Sequence, residues 1–184
     1  MTMKAYPSLA TPRLLLREAY HDDAQIMYTL LQDPDVTVTL VTIPDAPTLG
    51  HIQTMIAYGQ ECFEHWGDLM FSVLRQSDHR FLGSVSLAVT PDHDRGTLRY
   101  WFGKDYWGYG YATEAVSAVV RCGFEQGLNK ITARCIAWNN ASVEVLLNIR
   151  MTQEGYLRSH VKKRDRWEDV KVFGLLRSEF EFQA

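Results

Sequence analysis

Cysteine is scarce in this chain and unpaired by pattern. Cys62, Cys122 and Cys135 are its three cysteines, odd in number, widely spaced and without a CxxC pair. Neither a disulfide framework nor a thiolate metal knuckle is indicated. Buried free thiols are the simpler reading, since Cys122 and Cys135 fall in apolar-patterned segments. Long apolar runs are missing as well. No stretch approaches the ~20 residues of a membrane span. The opening MTMKAYPSLATPR has no continuous apolar run of signal-peptide length, so a cytoplasmic protein is expected. A one-sided charge is also absent. Nineteen Lys and Arg against 22 Asp and Glu leave a formal charge of −3. Electrostatic capture by nucleic acid or an anionic membrane has no basis in that balance. HExxH is missing, and PDHDRG, which gathers Asp92, His93 and Asp94, reads as a polar turn, so no metal site is expected.

Two phosphate-binding signatures are missing too. GxxxxGK(S/T) does not occur, which argues against a P-loop. GxGxxG would need a small residue at position 113, which is Thr113, and no acidic residue closes a following strand about 20 positions on.

What the chain does contain is a change of period. LLLR (14–17) reads as a short strand. HDDAQIMYTLLQ can open a helix capped by Asp22 or Asp23, with Ile26, Leu30 and Leu31 inward, and DPDV (33–36) breaks it. A second helical region from Thr48 to Trp66 puts Ile52, Met55, Ile56 and Phe63 on one side, with Gly59 interrupting. Stretches 69–75, 81–89 and 97–102 are short, rich in β-branched or aromatic residues and separated by turn formers, as in a three-strand meander. Ala112, Ala115, Val116, Val119, Val120, Gly123 and Phe124 then recur at helical spacing. KITARCIAW (130–138) is a further strand. Asn139 or Asn140 caps a short helix with Val143, Leu146 and Leu147 inward. EGYLRSHV and WEDVKVFGLLR form a closing hairpin, with KKRDR (162–166) as its solvated tip. The whole implies one α+β domain over 1–184: a mixed, mostly antiparallel twisted sheet flanked by helices on both faces.

YWGYGYATEA (106–115) sits between a strand and a helix. Helix starts expose orphan N–H groups and the positive end of the dipole. Gly108 and Gly110 remove Cβ atoms and permit φ > 0, so several N–H groups can converge on one anion. Tight aromatic packing would also account for the glycines. Downstream, WNNASVEVLLN places Asn139 and Ser142 at the next helix start, where capping alone would explain both. If the strands at 97–102 and 130–138 are neighbours, these two helix starts flank one cleft.

GSVSL, YWFGKDYWGYGYATEAVSAVVRCGFE, LNKITARCIAWNNAS and RWEDVKVFGLLRSEF together resemble the GNAT superfamily of N-acetyltransferases, in particular its RimJ/RimL-like ribosomal-protein group. The resemblance covers nearly the whole chain and implies the acyl-CoA N-acyltransferase fold, acetyl-CoA as donor and an amine as acceptor. The family's pyrophosphate loop falls on Trp107, Gly108, Tyr109, Gly110, Tyr111 and Ala112, continuing to Thr113. Many members use a tyrosine seven residues after the asparagine as general acid, and that position is Leu146 here. The RimJ/RimL group has a serine three residues after it, which matches Ser142. By resemblance, Ser142 would bond the coenzyme sulfur and Asn139 would hold the pantetheine. An interrupted strand near Phe102 would offer N–H groups to the oxyanion. The chain departs from the group at Thr97, where an acid is common, at Arg99 for glycine, and at Arg150–Met151 for Gly-Phe. The last departure implies a different helix end.

The general base is open at this level. Glu61, Glu64, His65 and Asp68 are candidates by type alone. His160 and Tyr156 lie on the hairpin strand and could face an acceptor channel. The implied activity is transfer of acetyl to a protein N-terminal α-amine or a small amine, directly within a ternary complex. The alternative is a non-catalytic acyl-CoA-binding module that kept the phosphate cradle.

Overall fold

The computed structural model describes residues 5–180; the outermost four residues of the expected domain at each end lie outside the described residues. In chain order the strands and α-helices are β1 Leu9–Ala10, β2 Leu14–Glu18, α1 Ala24–Leu30, α2 Pro34–Thr37, α3 Leu49–Trp66, β3 Leu69–Arg75, β4 Phe81–Thr90, β5 Arg95–Phe102, α4 Tyr111–Glu125, β6 Lys130–Ile136, α5 Asn140–Asn148, β7 Thr152–Lys163 and β8 Arg166–Leu176. The strands form one eight-stranded sheet in the order β1-β2-β3-β4-β5-β6-β8-β7. Each neighbouring pair is antiparallel except β5 with β6. That parallel pair requires a crossover, and α4 supplies it.

Apolar side chains on the two sides of the sheet build two cores. Beneath α4, Val116, Val119, Val120 and Phe124 pack on Leu87, Leu98, Ile131 and Phe173. Beneath α1 and α3, Met27, Leu31, Ile52 and Ile56 pack with Phe81 and Trp101. α4 ends as GLNK predicts: Gly127 is left-handed (φ 101°), and Leu128 N–H reaches the Gly123 carbonyl at 3.2 Å.

Several local expectations give way to packing. Ile26 is 39% exposed, because a helix starting at Ala24 directs Ala24, Met27 and Leu31 inward. Leu147 is 53% exposed, because Leu146 takes the buried position on α5. The Asp23 carboxylate does not cap α1. It binds Arg17 at 2.7 Å through both oxygens, the Ser72 hydroxyl at 2.7 Å and the Tyr20 N–H at 2.9 Å. Gly59 does not interrupt α3; a Cβ there would sit 3.1 Å from the Met70 sulfur, so its bareness lets the helix approach β3. Within DPDV, Asp33 caps the single turn of α2 by accepting the Asp35 N–H at 2.8 Å.

α5 does not end differently for lack of glycine. Arg150 itself adopts φ 64°, its N–H bonds the Leu147 carbonyl at 2.8 Å, and Met151 N–H bonds that of Leu146 at 3.0 Å. This is a Schellman end with an arginine in the left-handed position and buried Met151 packed in the Leu146 core. The KKRDR tip is not solvated throughout. Lys163 is 8% exposed, donates to the Ile43 carbonyl at 2.7 Å and pairs with Asp45 at 2.9 Å. Arg164 donates to the Pro34 carbonyl at 2.8 Å. The tip clasps the segment between α2 and α3, and Asp45 neutralises part of its charge.

Candidate active site

The parallel pair at the centre of the sheet is incomplete. β5 runs to Phe102 and β6 to Ile136, yet their register covers only Arg95–Leu98 against Lys130–Ala133. Beyond the Leu98–Ala133 rung the strands part. Gly103 N–H bonds the Leu82 carbonyl at 2.9 Å, where Gly83 faces Phe102. Antiparallel bonding alternates, so Arg99 and Trp101 bond β4 while the N–H groups of Tyr100 and Phe102 turn toward the gap. The Phe102 carbonyl accepts the Trp107 indole N–H at 2.8 Å, which folds the following turn back over the strand end.

That turn carries the two glycines. Gly108 and Gly110 have φ 79° and 77°, both left-handed. The first helical N–H to find a partner is that of Glu114, on the Gly110 carbonyl at 3.1 Å. Every backbone N–H from Gly108 to Thr113 lacks a hydrogen-bond partner among the described residues. A run of unpartnered donors at the positive end of a 15-residue helix is an anion cradle. Arg13 braces it. Its Nη1 donates to the Tyr109 carbonyl at 2.9 Å, its Nε pairs with Glu114 at 2.6 Å, and its guanidinium lies 4.7 Å from the centre of the Tyr111 ring.

The second helix start lies across the gap. Asn139 Oδ1 accepts the Ser142 N–H at 3.1 Å and so caps α5. The Ser142 hydroxyl is 2.7 Å from the Tyr100 phenol, which also reaches the Ser142 carbonyl at 3.2 Å. The Cys135 thiol lines the same gap. Burial pushes the Tyr100 phenol above its ordinary range, and Ser142 only partly offsets this. Burial likewise raises the Cys135 thiol. Both groups are therefore protonated hydroxyl or thiol donors near neutral pH.

A cleft of about 980 Å³ runs through the gap. Phe102, Trp107, Gly108, Gly110, Tyr111, Ala112, Thr113, Asn139 and Ser142 all line it. Tyr109 does not; its exposed ring stacks on Tyr111 with centroids 5.9 Å apart.

A family model described as an acetyltransferase (GNAT) domain matches residues 13–152. The chain belongs to the GNAT family. It is therefore an acetyl-CoA-dependent N-acetyltransferase. It is 28% identical over 175 residues to "Uncharacterized N-acetyltransferase p20" of Bacillus licheniformis, across 94% of this chain and 98% of that one. Its fold is similar to that of RimL, a ribosomal L7/L12 alpha-N-protein acetyltransferase solved with coenzyme A, at 15% identity and TM-score 0.85, covering 95% of this chain and all of that one. It is similar also to spermidine N-acetyltransferase from Vibrio cholerae solved with CoA and spermine, at 17% identity and TM-score 0.81, covering 92% and 98%.

Within this GNAT chain the candidate bases separate cleanly. Glu61, Glu64, His65 and Asp68 do not line the cleft. His65 Nδ1 lies 2.8 Å from the Glu61 carbonyl, and Asp68 accepts the Val89 N–H at 2.7 Å. Tyr156 is off the cleft as well, donating to Asp169 at 2.6 Å. His160 does line it. Irregular pairing between Leu157 and Val161, with Ser159 at φ 46°, bulges β7 there. Sequence reasoning did not find Tyr100, Arg13 or Cys135 as site residues. The resemblance pointed to Ser142 in place of a tyrosine on α5, whereas the phenol beside Ser142 comes from β5.

Proposed function

We infer that this GNAT enzyme transfers acetyl from acetyl-CoA to a primary amine by direct attack in a ternary complex, the acceptor being a protein N-terminal α-amine or a small amine. One observation carries the reading: an unpartnered N–H run over 108–113 lies at one mouth of a gap whose other side holds the Ser142 hydroxyl. The donor set fits a diphosphate. In this reading Gly108 to Thr113 hold the pyrophosphate, with Trp107 closing the turn, and Asn139 flanks the pantetheine. Acetyl-CoA supplies a thioester. The amine nitrogen attacks its carbonyl carbon, a C–N bond forms, the C–S bond breaks, and the nitrogen loses a proton while the thiolate gains one. The open N–H of Phe102 faces the charge that develops on the carbonyl oxygen. Ser142, held by Tyr100, meets the departing sulfur. The serine at position 142 supports the RimJ/RimL-like grouping, and the absence, among the described residues, of a helix long and apolar enough to cross a membrane leaves a cytoplasmic location open.

The test is thiol release from acetyl-CoA over a panel of N-terminal peptides and small amines, with mass spectrometry of the acceptor. Acetylated acceptor in step with released thiol supports the reading. Release without acetylated acceptor, or acetyl left on the enzyme as an obligatory stage, overturns direct transfer.

A further inference from the structure

The two faces of the β5–β6 gap differ in charge. On the α4 face, Leu98, Ala133 and Cys135 belong to the apolar core. Alternation turns the intervening residues to the opposite face. There the rungs read Arg95 against Lys130, then Thr97 against Thr132. One step beyond the last paired rung, β5 carries Arg99 and β6 carries Arg134. All six line the cleft. Like charges set opposite one another across strands are unfavourable.

Two of the acids nearby are engaged. Glu154 pairs with Lys130 at 2.6 Å and Asp35 with Lys104 at 2.5 Å. Glu144 lines the cleft from α5. Asp68 feels the charge of Arg99, but it makes no ion pair with it within 4 Å and accepts the Val89 N–H. Arg95, Arg99 and Arg134 make no ion pair with any side chain among the described residues. Exposed guanidiniums at the point where two strands part present forks that match carboxylate or phosphate oxygens.

Building on the transfer reading above, we propose that the acceptor amine carries a carboxylate or phosphate near its nitrogen, which Arg99 and Arg134 grip while the amine enters the gap. The acceptor comes from the face opposite the N–H cradle. The same charges repel a polyamine, so the acceptor class differs from the spermine bound by the Vibrio cholerae neighbour.

Matched acceptors test this: an amino acid and its amide, an aminoalkyl phosphate and the corresponding amino alcohol, a peptide with Asp at its second position and the Asn counterpart, and spermidine. The anionic member of at least one pair should show kcat/KM about tenfold higher, and the successful pair tells carboxylate from phosphate. Arg99→Gln and Arg134→Gln should each bring that ratio toward one, with Arg99→Lys between. Equal use of both members, a preference for spermidine, or a ratio that survives both substitutions overturns the proposal. So does weakened coenzyme binding by calorimetry in Arg99→Gln, since the guanidinium would then serve the coenzyme. If no acceptor releases thiol, the transfer reading fails separately. Thermal stabilisation by N-acetyl amino acids but not by their amides, lost in Arg99→Gln, would still uphold the anion grip, and an equal response would sink it.

Discussion

Replacing Gly110 by alanine isolates the cradle. A Cβ at Gly110 would meet only the Arg13 Nη2, at the ordinary contact distance of 3.5 Å. No clash is created, so the penalty is conformational: an L-residue at φ 77° costs about 1–2 kcal/mol. The chain has two responses. If it holds the left-handed turn, stability falls, partly offset by ~0.4–1 kcal/mol from a stiffer unfolded chain. If it relaxes, the N–H groups diverge, and each lost hydrogen bond to a charged phosphate removes about 1.5–3 kcal/mol. Among the described residues no partner fixes the N–H run, so relaxation is the expected course. Acetyl-CoA should then bind about tenfold more weakly. Acetyl-pantetheine lacks the diphosphate and should bind as before. Calorimetry with both thioesters reads the difference, and the melting temperature reports the other response. Equal weakening of both ligands refutes the argument, because the loss would not involve phosphate. So does unaltered binding of acetyl-CoA in a protein of unaltered stability.

Other substitutions probe the remaining machinery. Ser142→Ala should lower kcat about tenfold or more while the coenzyme Kd moves little; Tyr100→Phe should follow in the same direction with a smaller loss, and unchanged turnover in Ser142→Ala removes the hydroxyl from the mechanism. Arg150→Gly relieves the left-handed strain at the end of α5 and should exceed Arg150→Ala in stability by about 1 kcal/mol, or ~2–4 °C at this size; a glycine variant no more stable than the alanine one would refute the strain. Asp23 is buried, which alone would raise its pKa, but Arg17, Ser72 and the Tyr20 N–H hold it below the usual carboxylate range. A depressed pKa contributes stability above the unfolded value and loses it as pH falls through the folded one. Asp23→Asn should therefore cost about 3 kcal/mol near neutral pH, with the gap to wild type closing on acidification, as denaturant midpoints across the range would show; a gap independent of pH contradicts the ion-pair account.

Local pattern carried much of this fold. The meander, the α4 periodicity and the two polar helix starts depend on neighbours a few residues apart, and the parallel β5–β6 pairing puts both helix starts beside one gap. What sequence left hidden depends on register. Tyr100 and Ser142 are 42 positions apart and meet because strand alternation turns the phenol toward α5. Arg13 and Glu114 are 101 apart. Arg99 and Arg134 become a pair only once Leu98 is known to be the last rung. Arg150 shows a propensity rule overridden: buried Met151 and two backbone bonds hold the turn that glycine would have taken. The basic hairpin tip looked solvated because Asp45, its partner, lies more than a hundred residues earlier in the chain.

The missing acid at Thr97 also has a physical answer. Aminolysis requires a neutral amine, which a base can make by taking a proton or an environment can favour by destabilising the ammonium. The charged groups facing the gap from β5 and β6 are Arg95, Arg99, Arg134 and Lys130, the last paired with Glu154, with Glu144 on α5 and the Asp35–Lys104 pair at the rim. Even with one arginine neutralised by an anionic acceptor, the balance stays cationic. Such a field disfavours an ammonium in the gap, so proton loss to water can precede attack. His160 is the one candidate base by type that the bulge of β7 brings to the cleft, and it discriminates between the two routes. A positioned general base contributes about 10²–10⁴-fold. If the cationic field prepares the amine, His160→Gln should lose less than about tenfold in kcat/KM across the pH range, with the alkaline limb of the profile retained. A loss of about a hundredfold that disappears at high pH would make His160 the base and leave the arginines with binding alone.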